Sequence, residues 1–491
     1  MVWLRWAWRQ LTSMRVALML LLLLAVAAVP GSFFPQRAQD PAAVAAFLAE
    51  NPRVGPVLDT LGFFEVYSSP WFMAVYTLLF ASLIGCILPR IAQHWRALRS
   101  DPPRVPRNFS RFEVRDEFTT PAPPAAVYDA VLGRLRRTHR ARLTPEGVTA
   151  ERGYLRETGN LVFHLALLGI LLSFGYGQLA TYRGQAVVIE GESFANAVVD
   201  YDSFDAGRLV DPASLTPFTF RLEAMEARFS ETGRARYFGA TVSVTEPGEP
   251  ARTARIEPNE PLDVRGTRVY LSGNGYAPRL EVRDGAGNLA FSGPVPFLPQ
   301  DDAYTSTGVV KVPDVVGQDQ LGFAGQLLPS AIDDGGTLRS VHPSPANPVL
   351  VLQLWRGDLG LDDGVPQNVY QLDVTGMTRV EEDGVPVVLV LAPGDTVELP
   401  DGLGTLSFVD LPRFAALDLR HDPSLDWLLG SAVAAMVGLM GSLFIPRRRL
   451  WVRAVERDGV TVVSAAALAR GEDAGLTAEL HSVLKAVKED G

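Results

Sequence analysis

The chain has 491 residues, of which 47% are hydrophobic and 20% charged, and its formal net charge is −10. These averages resemble those of soluble proteins, yet they combine almost purely apolar stretches with one long acidic region. The single cysteine, Cys86, excludes an internal disulfide, a CxxC redox pair and a CxxCH haem-attachment site. The chain is therefore neither a dithiol oxidoreductase nor a c-type cytochrome, and its composition indicates a membrane protein with a large soluble domain.

Residues 1–30 predict an interfacial segment followed by a first transmembrane helix. Tryptophans and arginines alternate at the start, as is typical of a segment on the cytoplasmic membrane surface, and an apolar run from Val16 to Val29 follows. A cleaved signal peptide is the alternative, because its basic start and short apolar core would look similar. We favour a retained helix, since the run extends back to Leu11 and three more apolar runs follow.

Residues 31–70 predict an extracytoplasmic loop with short surface helices, because Ala42 to Leu48 and Val54 to Phe64 have helical apolar spacing. A second transmembrane helix is predicted over residues 71–89, where an apolar run with an aromatic edge ends at Pro89.

Fourteen arginines mark residues 90–157 as a basic cytoplasmic loop, because positive charge beside a span is typical of the cytoplasmic side. We interpret this charge as topology and contact with lipid headgroups, in preference to binding of nucleic acid or a protein partner. Within the loop, Ala125 to Arg137 has helical spacing. The third transmembrane helix is predicted over residues 158–179.

Residues 180–425 predict a large extracytoplasmic all-β domain of the sandwich type or two such lobes. Thr181 to Leu425 holds 18 Lys and Arg against 35 Asp and Glu, and this acidic balance belongs outside. Short alternating runs separated by Gly, Pro, Asn and Asp predict strands. Examples are Phe218 to Phe229, Tyr237 to Thr245, Tyr370 to Val374 and Thr405 to Val409. From Gln300 to Pro348 the strand signal is weak, so we expect an insertion or a lobe boundary.

A fourth transmembrane helix is predicted over residues 426–446, and three arginines follow at once. They indicate that residues 447–491 form a cytoplasmic tail, with a helical segment around Leu476 to Lys488. The predicted fold class is thus a polytopic membrane protein. It has four transmembrane α-helices and a large extracytoplasmic domain between spans three and four. Both termini are cytoplasmic, in a bacterial cell membrane.

His164 is the one histidine of six that falls within a predicted span. It lies about 8 Å from the cytoplasmic end of the third helix, and Asn160 precedes it by one turn on the same face. One interpretation is structural: the ring hydrogen-bonds Asn160 or a backbone carbonyl, for about 0.6 kcal/mol. The other is functional, because an ionisable group at membrane depth is costly and a neutral imidazole can bind haem iron.

His421 opens His421-Asp422-Pro423, a helix-start signal before the fourth span. It is part of a cap at the outer boundary of that span, a second, extracytoplasmic ligand, or a contact with a partner. Small residues also recur four apart in the last two spans, which would join these helices or dock another membrane protein. The two stripes are Gly169, Ser173 and Gly177, and Gly430, Ala434 and Gly438.

The sequence contains no Walker loop, GxSxG elbow, HExxH motif or paired-cysteine metal site. No catalytic residue is therefore expected, and the only metal we expect is haem iron through His164.

Several short motifs follow one another along the chain. They are LTSMR at 11–15, PGSFFPQ at 30–36, LGFFEVYSSPWF at 61–72, GNLVFH at 159–164, NxPL at 259–262, VY at 269–270, GYAP at 275–278 and DP at 422–423. Together with the four-span topology, this order resembles the ResB family, also called CcsB, of system II cytochrome c biogenesis.

The resemblance implies a subunit that handles haem with a ResC/CcsA-type partner, for covalent attachment to apocytochrome c outside the membrane. It implies a haem b shared transiently with that partner, with His164 as one axial ligand and a partner histidine as the other. Asn160 would support His164 from the same face. The chain would be a non-catalytic or co-catalytic subunit of a cytochrome c synthetase, or haem lyase, complex. A thioredoxin-like ResA/CcsX-type reductant and membrane lipids are further expected partners, and nucleic acid is not.

Two other hypotheses remain open from the sequence. The chain could be a membrane-anchored scaffold that binds apocytochrome or a thioredoxin-like reductant without contacting haem. It could also be an envelope sensor that signals through its basic loop.

Overall fold

The computed structural model describes residues 2–37, 39–361, 371–471 and 473–489. The chain forms two compact units. Unit 1 comprises Met1–Gln178 and Ser424–Gly491, and unit 2 comprises Leu179–Pro423.

The helices of the described residues are α1 Val2–Leu11, α2 Met14–Ala28, α3 Pro30–Phe33, α4 Pro41–Glu50, α5 Gly55–Thr60, α6 Pro70–Arg99, α7 Pro124–Leu135, α8 Leu155–Ala180, α9 Leu425–Phe444 and α10 Leu476–Glu489. The first strands are β1 Val114–Thr120, β2 Arg140–Thr144, β3 Gly147–Arg152, β4 Tyr182–Ile189, β5 Ser193–Ala195, β6 Ser203–Ala206, β7 Thr219–Phe229, β8 Ala235–Thr245, β9 Arg252–Ile256 and β10 Leu262–Val264.

The following strands are β11 Thr267–Tyr276, β12 Arg279–Arg283, β13 Leu289–Pro294, β14 Leu298–Pro299, β15 Ser306–Val312, β16 Gln320–Leu328, β17 Ala331–Asp333, β18 Leu338–Ser340 and β19 Val349–Gly357. The last are β20 Met377–Arg379, β21 Glu381–Glu382, β22 Val385–Pro386, β23 Val388–Leu391, β24 Thr396–Leu399, β25 Gly404–Asp410, β26 Arg413–His421, β27 Arg448–Arg457 and β28 Val460–Ala469.

Four helices of the described residues are long and apolar enough to cross a membrane, as the sequence predicts. They are Met14–Phe33, Pro70–Arg99, Leu155–Ala180 and Leu425–Phe444. Few of their apolar side chains are buried in the protein, and α2 has no buried residue. A lipid environment would cover these surfaces without cost.

The prediction that the second apolar helix ends at Pro89 is wrong, because α6 continues through Pro89 to Arg99. Proline removes one backbone donor and clashes with the preceding turn. The residues after it are mostly good helix formers, and spanning helices tolerate proline where neighbours satisfy the freed carbonyl. The helix therefore carries His94 about one and a half turns beyond the predicted end.

The segment joining α1 and α2 packs directly against α6. The Ser82 hydroxyl donates to the Leu11 carbonyl at 2.5 Å, and the Cys86 thiol donates to the Thr12 carbonyl at 2.9 Å. A Cβ at Gly85 would meet the Thr12 methyl group at 2.0 Å, so only glycine allows this approach. The one cysteine of the chain is thus a half-buried packing residue of unit 1.

The basic segment before α8 and the tail after α9 form one α+β domain within unit 1. Its antiparallel sheet has the order β1-β28-β27-β3-β2. Helices α7 and α10 cover one face, with Val131, Leu135, Leu480 and Leu484 in the core. On the other face, residues 105–112 pack on Trp451. The sequence predicts the two helices but treats the two segments as separate, since strand pairing between distant segments is not visible locally.

Unit 2 is β-rich, as predicted, and has two cores. The sheets β10-β11-β26-β4-β6 and β5-β7-β8-β9 enclose the first core, around Leu222 and Leu417. The sheets β13-β12-β25-β24 and β14-β15-β16-β19-β20 enclose the second, around Phe323 and Phe408. Strands β7, β8 and β25 lie where the sequence predicts strands. Of the predicted strand Tyr370 to Val374, Tyr370 lies outside the described residues and 371–374 form no strand.

The prediction of an insertion or a lobe boundary from Gln300 to Pro348 is wrong in its main part. This segment holds β15 and β16, which belong to the larger sheet. Its glycines suggest turns, but here they make room for close packing. A Cβ at Gly308 would lie 2.5 Å from the Phe297 ring, and one at Gly325 would lie 1.9 Å from the Val351 carbonyl oxygen. Such glycines mark close approach within a sheet.

Candidate functional site

His164 lies on α8, one turn after Asn160, and its ring has a fixed orientation. Nδ1 is 2.7 Å from the Asn160 carbonyl oxygen. A carbonyl can only accept, so Nδ1 donates and Nε2 of the neutral ring keeps its lone pair. The Phe163 ring stands edge to face against the imidazole, with centroids 5.3 Å apart. The half-buried side chain thus presents Nε2 with a lone pair that can bind a metal ion.

This arrangement is typical of a histidine that binds metal, because a hydrogen bond to one nitrogen fixes which nitrogen can ligate. Asn160 supplies that hydrogen bond through its main chain rather than through its side-chain amide. Among the described residues no group of three or more His, Cys, Asp and Glu could hold a metal ion. Through Nε2, the single imidazole of His164 could bind a haem iron.

Small residues bring α8 and α9 into backbone contact near His164. A Cβ at Gly438 would lie 2.5 Å from the Phe163 nitrogen, and one at Gly159 would lie 2.7 Å from the Gly438 oxygen. Higher on α8, a Cβ at Gly169 would lie 2.6 Å from the Ser431 hydroxyl. The sequence left open whether the small residues join these two helices or dock another membrane protein. In the structure, Gly169 and Gly438 join the two helices. Gly430 faces open space.

Helix α6 also contacts α8. The Tyr76 hydroxyl donates to the Leu171 carbonyl, and Tyr76 lies beside Gly175. At the other end of the pair, His94 Nε2 lies 3.0 Å from the Thr158 hydroxyl. His94 follows residues 71–89, so the sequence predicts it outside the second span. The helical spacing after Pro89 was the signal that could have placed it on α6.

A layer of charged side chains lies at the start of α8, ranging from buried Glu151 to exposed Arg470. Glu157 accepts hydrogen bonds from Arg447 and Arg470, and His94 Nδ1 lies 3.8 Å from it. Arg447 also bonds Glu151, at 2.7 Å, and so ties the chain after α9 to the strand before α8. This ion-pair layer holds the ends of α8 and α9 together, and sequence reasoning missed it because its members are up to 376 residues apart in the chain, from His94 to Arg470.

Glu151 is 2% exposed and is surrounded by donors. Burial alone would raise the pKa of this carboxyl group. The hydrogen bond from Tyr154 and the charges of Arg447 and Arg449 outweigh burial and lower that pKa below its ordinary value. Burial and the same hydrogen bond raise the pKa of Tyr154 to about 12. Glu151 therefore stays ionised and Tyr154 stays protonated at neutral pH.

His421 ends β26 in unit 2 and also has one nitrogen engaged. Its Nδ1 lies 3.0 Å from the Gly266 carbonyl oxygen, and its ring stacks on Tyr182 with centroids 5.2 Å apart. Nε2 is thereby oriented as in His164. The neighbouring Asp422 pairs with Arg420, and the N-cap position of α9 is held by Ser424.

The remaining histidine of unit 2 is less suited to bind a ligand. His342 uses Nε2 to donate to the Ser230 carbonyl at 2.9 Å and Nδ1 to accept from the Ser344 amide at 3.0 Å. Of the candidate residues, the structure brings His164 and Asn160 together within α8, and it places His421 in the other unit.

Comparison with known proteins gives a family match along most of the chain. The model of the ResB-like family matches residues 14–481. The Cytochrome c biogenesis protein CcsB of Synechococcus sp. (strain WH7803) is 27% identical over 268 residues, which cover 53% of this chain and 58% of that relative. The protein of the same name from Synechococcus elongatus (strain ATCC 33912 / PCC 7942 / FACHB-805) is 24% identical over 470 residues, covering 92% and 87%.

The matched part spans 58% and 64% of the first two relatives, the second being CcsB of Synechococcus sp. (strain JA-2-3B'a(2-13)). Among solved structures, Cytochrome c Heme Lyase CcmF aligns with 83% of this chain and 46% of its own, at 13% identity and a TM-score of 0.24. That similarity is too low to support an inference about fold or function.

Proposed function

The chain belongs to the ResB-like family, and from this membership we propose that it is a membrane subunit of a system II cytochrome c biogenesis complex. In this role it handles haem together with a ResC/CcsA-type partner, and the haem is then attached to apocytochrome c outside the membrane. Its relatives named CcsB support the cytochrome c biogenesis role.

The observation that carries the haem proposal is the geometry of His164. Nδ1 is held by the Asn160 carbonyl, and Nε2 is left available on an otherwise apolar helix. When bound there, haem supplies an iron that takes one imidazole from this chain. His164 would hold the iron, the backbone of α8 orients the ring through the Asn160 carbonyl, and a residue of the partner would supply a second ligand.

The proposed topology follows the charge distribution. The α+β domain of unit 1 carries most of the arginines between residues 90 and 157 and lies on the cytoplasmic side. Unit 2 is acidic and lies outside the bacterial cell membrane. His164 is then in the inner leaflet, which suits haem that arrives from the cytoplasm. His421 would lie at the outer boundary, and its oriented Nε2 makes it the second candidate ligand.

The test uses the full chain co-expressed with a ResC/CcsA-type protein. We expect the purified complex to show a haem absorption spectrum and His164→Ala to lose most of that haem. Added imidazole should restore haem to His164→Gly, because it replaces the missing side chain. Asn160→Ala is the matched control: it should keep its haem, since the main-chain carbonyl remains and only the side-chain amide is lost.

An unchanged haem content and spectrum in His164→Ala would show that His164 is not a ligand. If the wild-type complex carries no haem yet holocytochrome c depends on the chain, the scaffold hypothesis is favoured instead. A deletion that spares holocytochrome c and alters transcription would favour the sensor hypothesis.

A further inference from the structure

A cavity of about 570 Å³ opens in unit 1, where the α+β domain meets the ends of two apolar helices. Leu155, the first residue of α8, and Ile445 and Pro446, which follow α9, form its helix side. The segment from the end of α7 to the start of β2 forms the opposite side. The cavity therefore lies at the level where these helices would leave a membrane.

The lining is rich in positive charge. Arg136, Arg137, Arg140 and Arg152 all line the cavity, and Glu151 is the one acidic lining residue among the described residues. Glu151 is already neutralised by Arg447 and Arg449, at 2.7 and 3.1 Å. Arg152 is likewise paired with Glu479, at 2.8 Å, so the positive charge offered to a ligand comes from Arg136, Arg137 and Arg140.

Two of these guanidinium groups are available. Arg136 and Arg137 are exposed, and the described part of the chain gives neither an ion-pair partner. Arg140 is held in place differently: it donates to the Ser100 carbonyl at 2.8 Å and lies over the Tyr154 ring at 4.9 Å. A fixed cation beside two unpaired ones is an arrangement that recognises an oxyanion.

Two buried nitrogen atoms of the lining lack hydrogen-bond partners. Among the described residues they are Nε2 of His139, whose side chain is 1% exposed, and Nε of Arg152; the Glu479 carboxylate lies beside both side chains, 3.7 Å from His139 Nε2 and 2.8 Å from Arg152 Nη2. His139 Nδ1 is 2.9 Å from the Thr138 hydroxyl, and when that hydroxyl donates, Nε2 carries the unsatisfied proton. A buried donor without a partner costs free energy. Because the Glu479 carboxylate lies beside them, a hydration water of a bound headgroup, rather than the oxyanion itself, would satisfy these donors.

Exposed apolar side chains continue from the cavity along the helix end. Leu155 is 64% exposed, and Leu443 and Phe444, just before Ile445, are 65% and 78% exposed. A small anion such as free phosphate would leave this surface uncovered. An amphiphile with an anionic head and long acyl chains would cover both the charged and the apolar parts.

We propose that this cavity binds the phosphate headgroup of an anionic membrane phospholipid, with its acyl chains along the exposed end of α9. Basic pockets beside the cytoplasmic ends of membrane helices are suited to such headgroups. The site would hold the α+β domain against the membrane and fix the ends of α8 and α9. The inference rests on the proposed membrane topology and not on haem binding by His164.

The test is lipid retention by the full chain purified from membranes in mild detergent, measured by native mass spectrometry and lipid extraction. We expect wild type to retain about one anionic phospholipid per chain. In nanodiscs of phosphatidylcholine with increasing phosphatidylglycerol, Arg136→Gln/Arg137→Gln should bind the anionic lipid about 30-fold more weakly, since each arginine near an anionic surface contributes roughly a fivefold effect.

The charge-matched control is Arg111→Gln/Arg457→Gln, in which both arginines are exposed and lie outside the cavity. It should retain lipid as wild type does, and Arg136→Lys/Arg137→Lys should recover most of the binding. Equal lipid retention in wild type and in the Gln pair would overturn the proposal. So would displacement of the lipid by millimolar inorganic phosphate alone, which would make free phosphate the ligand. Loss of haem with unchanged lipid in the Gln pair would assign the cavity to haem carboxylates and also overturn it.

Discussion

At the scale of single residues, the histidines differ most clearly in which ring nitrogens form hydrogen bonds, and less in where they lie along the chain. His164 and His421 each donate from Nδ1 to a main-chain carbonyl and leave Nε2 available. His342 uses both nitrogens within the protein. A ring held in this way is prepared to bind a ligand, because little freedom remains to be lost on binding. This is why we propose His164 as the haem ligand of this chain.

His139 differs from His164 and His421, because its imidazole ring is buried inside the protein. Burial, together with the charges of Arg152 and Arg448, lowers its pKa to about 4, although Glu479 opposes this shift. The folded pKa is thus below the unfolded value of about 6.5. The folded protein binds fewer protons than the unfolded chain between these values, so stability is full above pH 6.5 and falls as the pH drops toward 4.

We therefore predict that the melting temperature of the α+β domain falls between pH 7 and pH 5 in wild type. In His139→Phe this pH dependence should be smaller, because the titrating group is gone. Differential scanning fluorimetry of the full chain in detergent would measure both. His481→Phe, at an exposed position of α10, is the control. Equal slopes in wild type and His139→Phe would contradict the assignment.

At the scale of elements, glycine determines how closely the apolar helices approach. The pair Gly159 and Gly438 lets α8 and α9 touch through their backbones, next to Phe163 and one residue from His164. Close approach through small residues is a common way for helices to associate in membranes. The same contact fixes the part of α8 that carries the candidate ligand.

Gly438→Val should separate α8 from α9, because its Cβ would lie 2.5 Å from the Phe163 nitrogen. Overpacking of this kind costs about 1–3 kcal/mol. We expect a lower melting temperature and a lower yield of the folded chain in membranes. Gly430→Val is the matched control on the same helix, since a Cβ there meets nothing within 4 Å. A control variant as unstable as Gly438→Val would show that valine itself, not the contact, is responsible.

At the scale of the whole molecule, distant segments complete one domain. The segment before α8 contributes β1, β2 and β3, and the segment after α9 contributes β27 and β28. Glu117 and Ser464 are register partners on β1 and β28, and their side chains hydrogen-bond at 3.2 Å. The α+β domain therefore closes only after the last apolar helix has been made.

A disulfide can test this pairing. With Cys86 replaced by serine, Glu117→Cys/Ser464→Cys should cross-link on mild oxidation, because adjacent strands lie about 5 Å apart. Glu117→Cys/Arg142→Cys is the control: β1 and β2 are the two edges of the sheet, about 19 Å apart, beyond the reach of a disulfide. Gel mobility after cleavage at a protease site inserted in unit 2 would report the link. Cross-linking of the control alone would contradict the strand order.

The sequence by itself determined the four apolar helices, the β-rich region between the third and the fourth, and His164 as the residue to explain. Hydrophobic runs, charge asymmetry and turn residues are local signals, so they can be read without a fold. The Asp458-Gly459 loop between β27 and β28 also carries a local signal, because two positive φ angles in a two-residue hairpin favour such a pair, although no strand is predicted in this tail.

Only the tertiary structure decided what depends on partners far apart in the chain. It paired the tail with the basic segment, buried Glu151 between Arg447 and Arg449, and placed glycines such as Gly325 inside a sheet. It also showed that Asn160 holds His164 through its carbonyl, a contact that every residue type could make. Except for this last contact, which lies within one turn of α8, these features rest on distances between atoms that the sequence separates, and no local pattern encodes them.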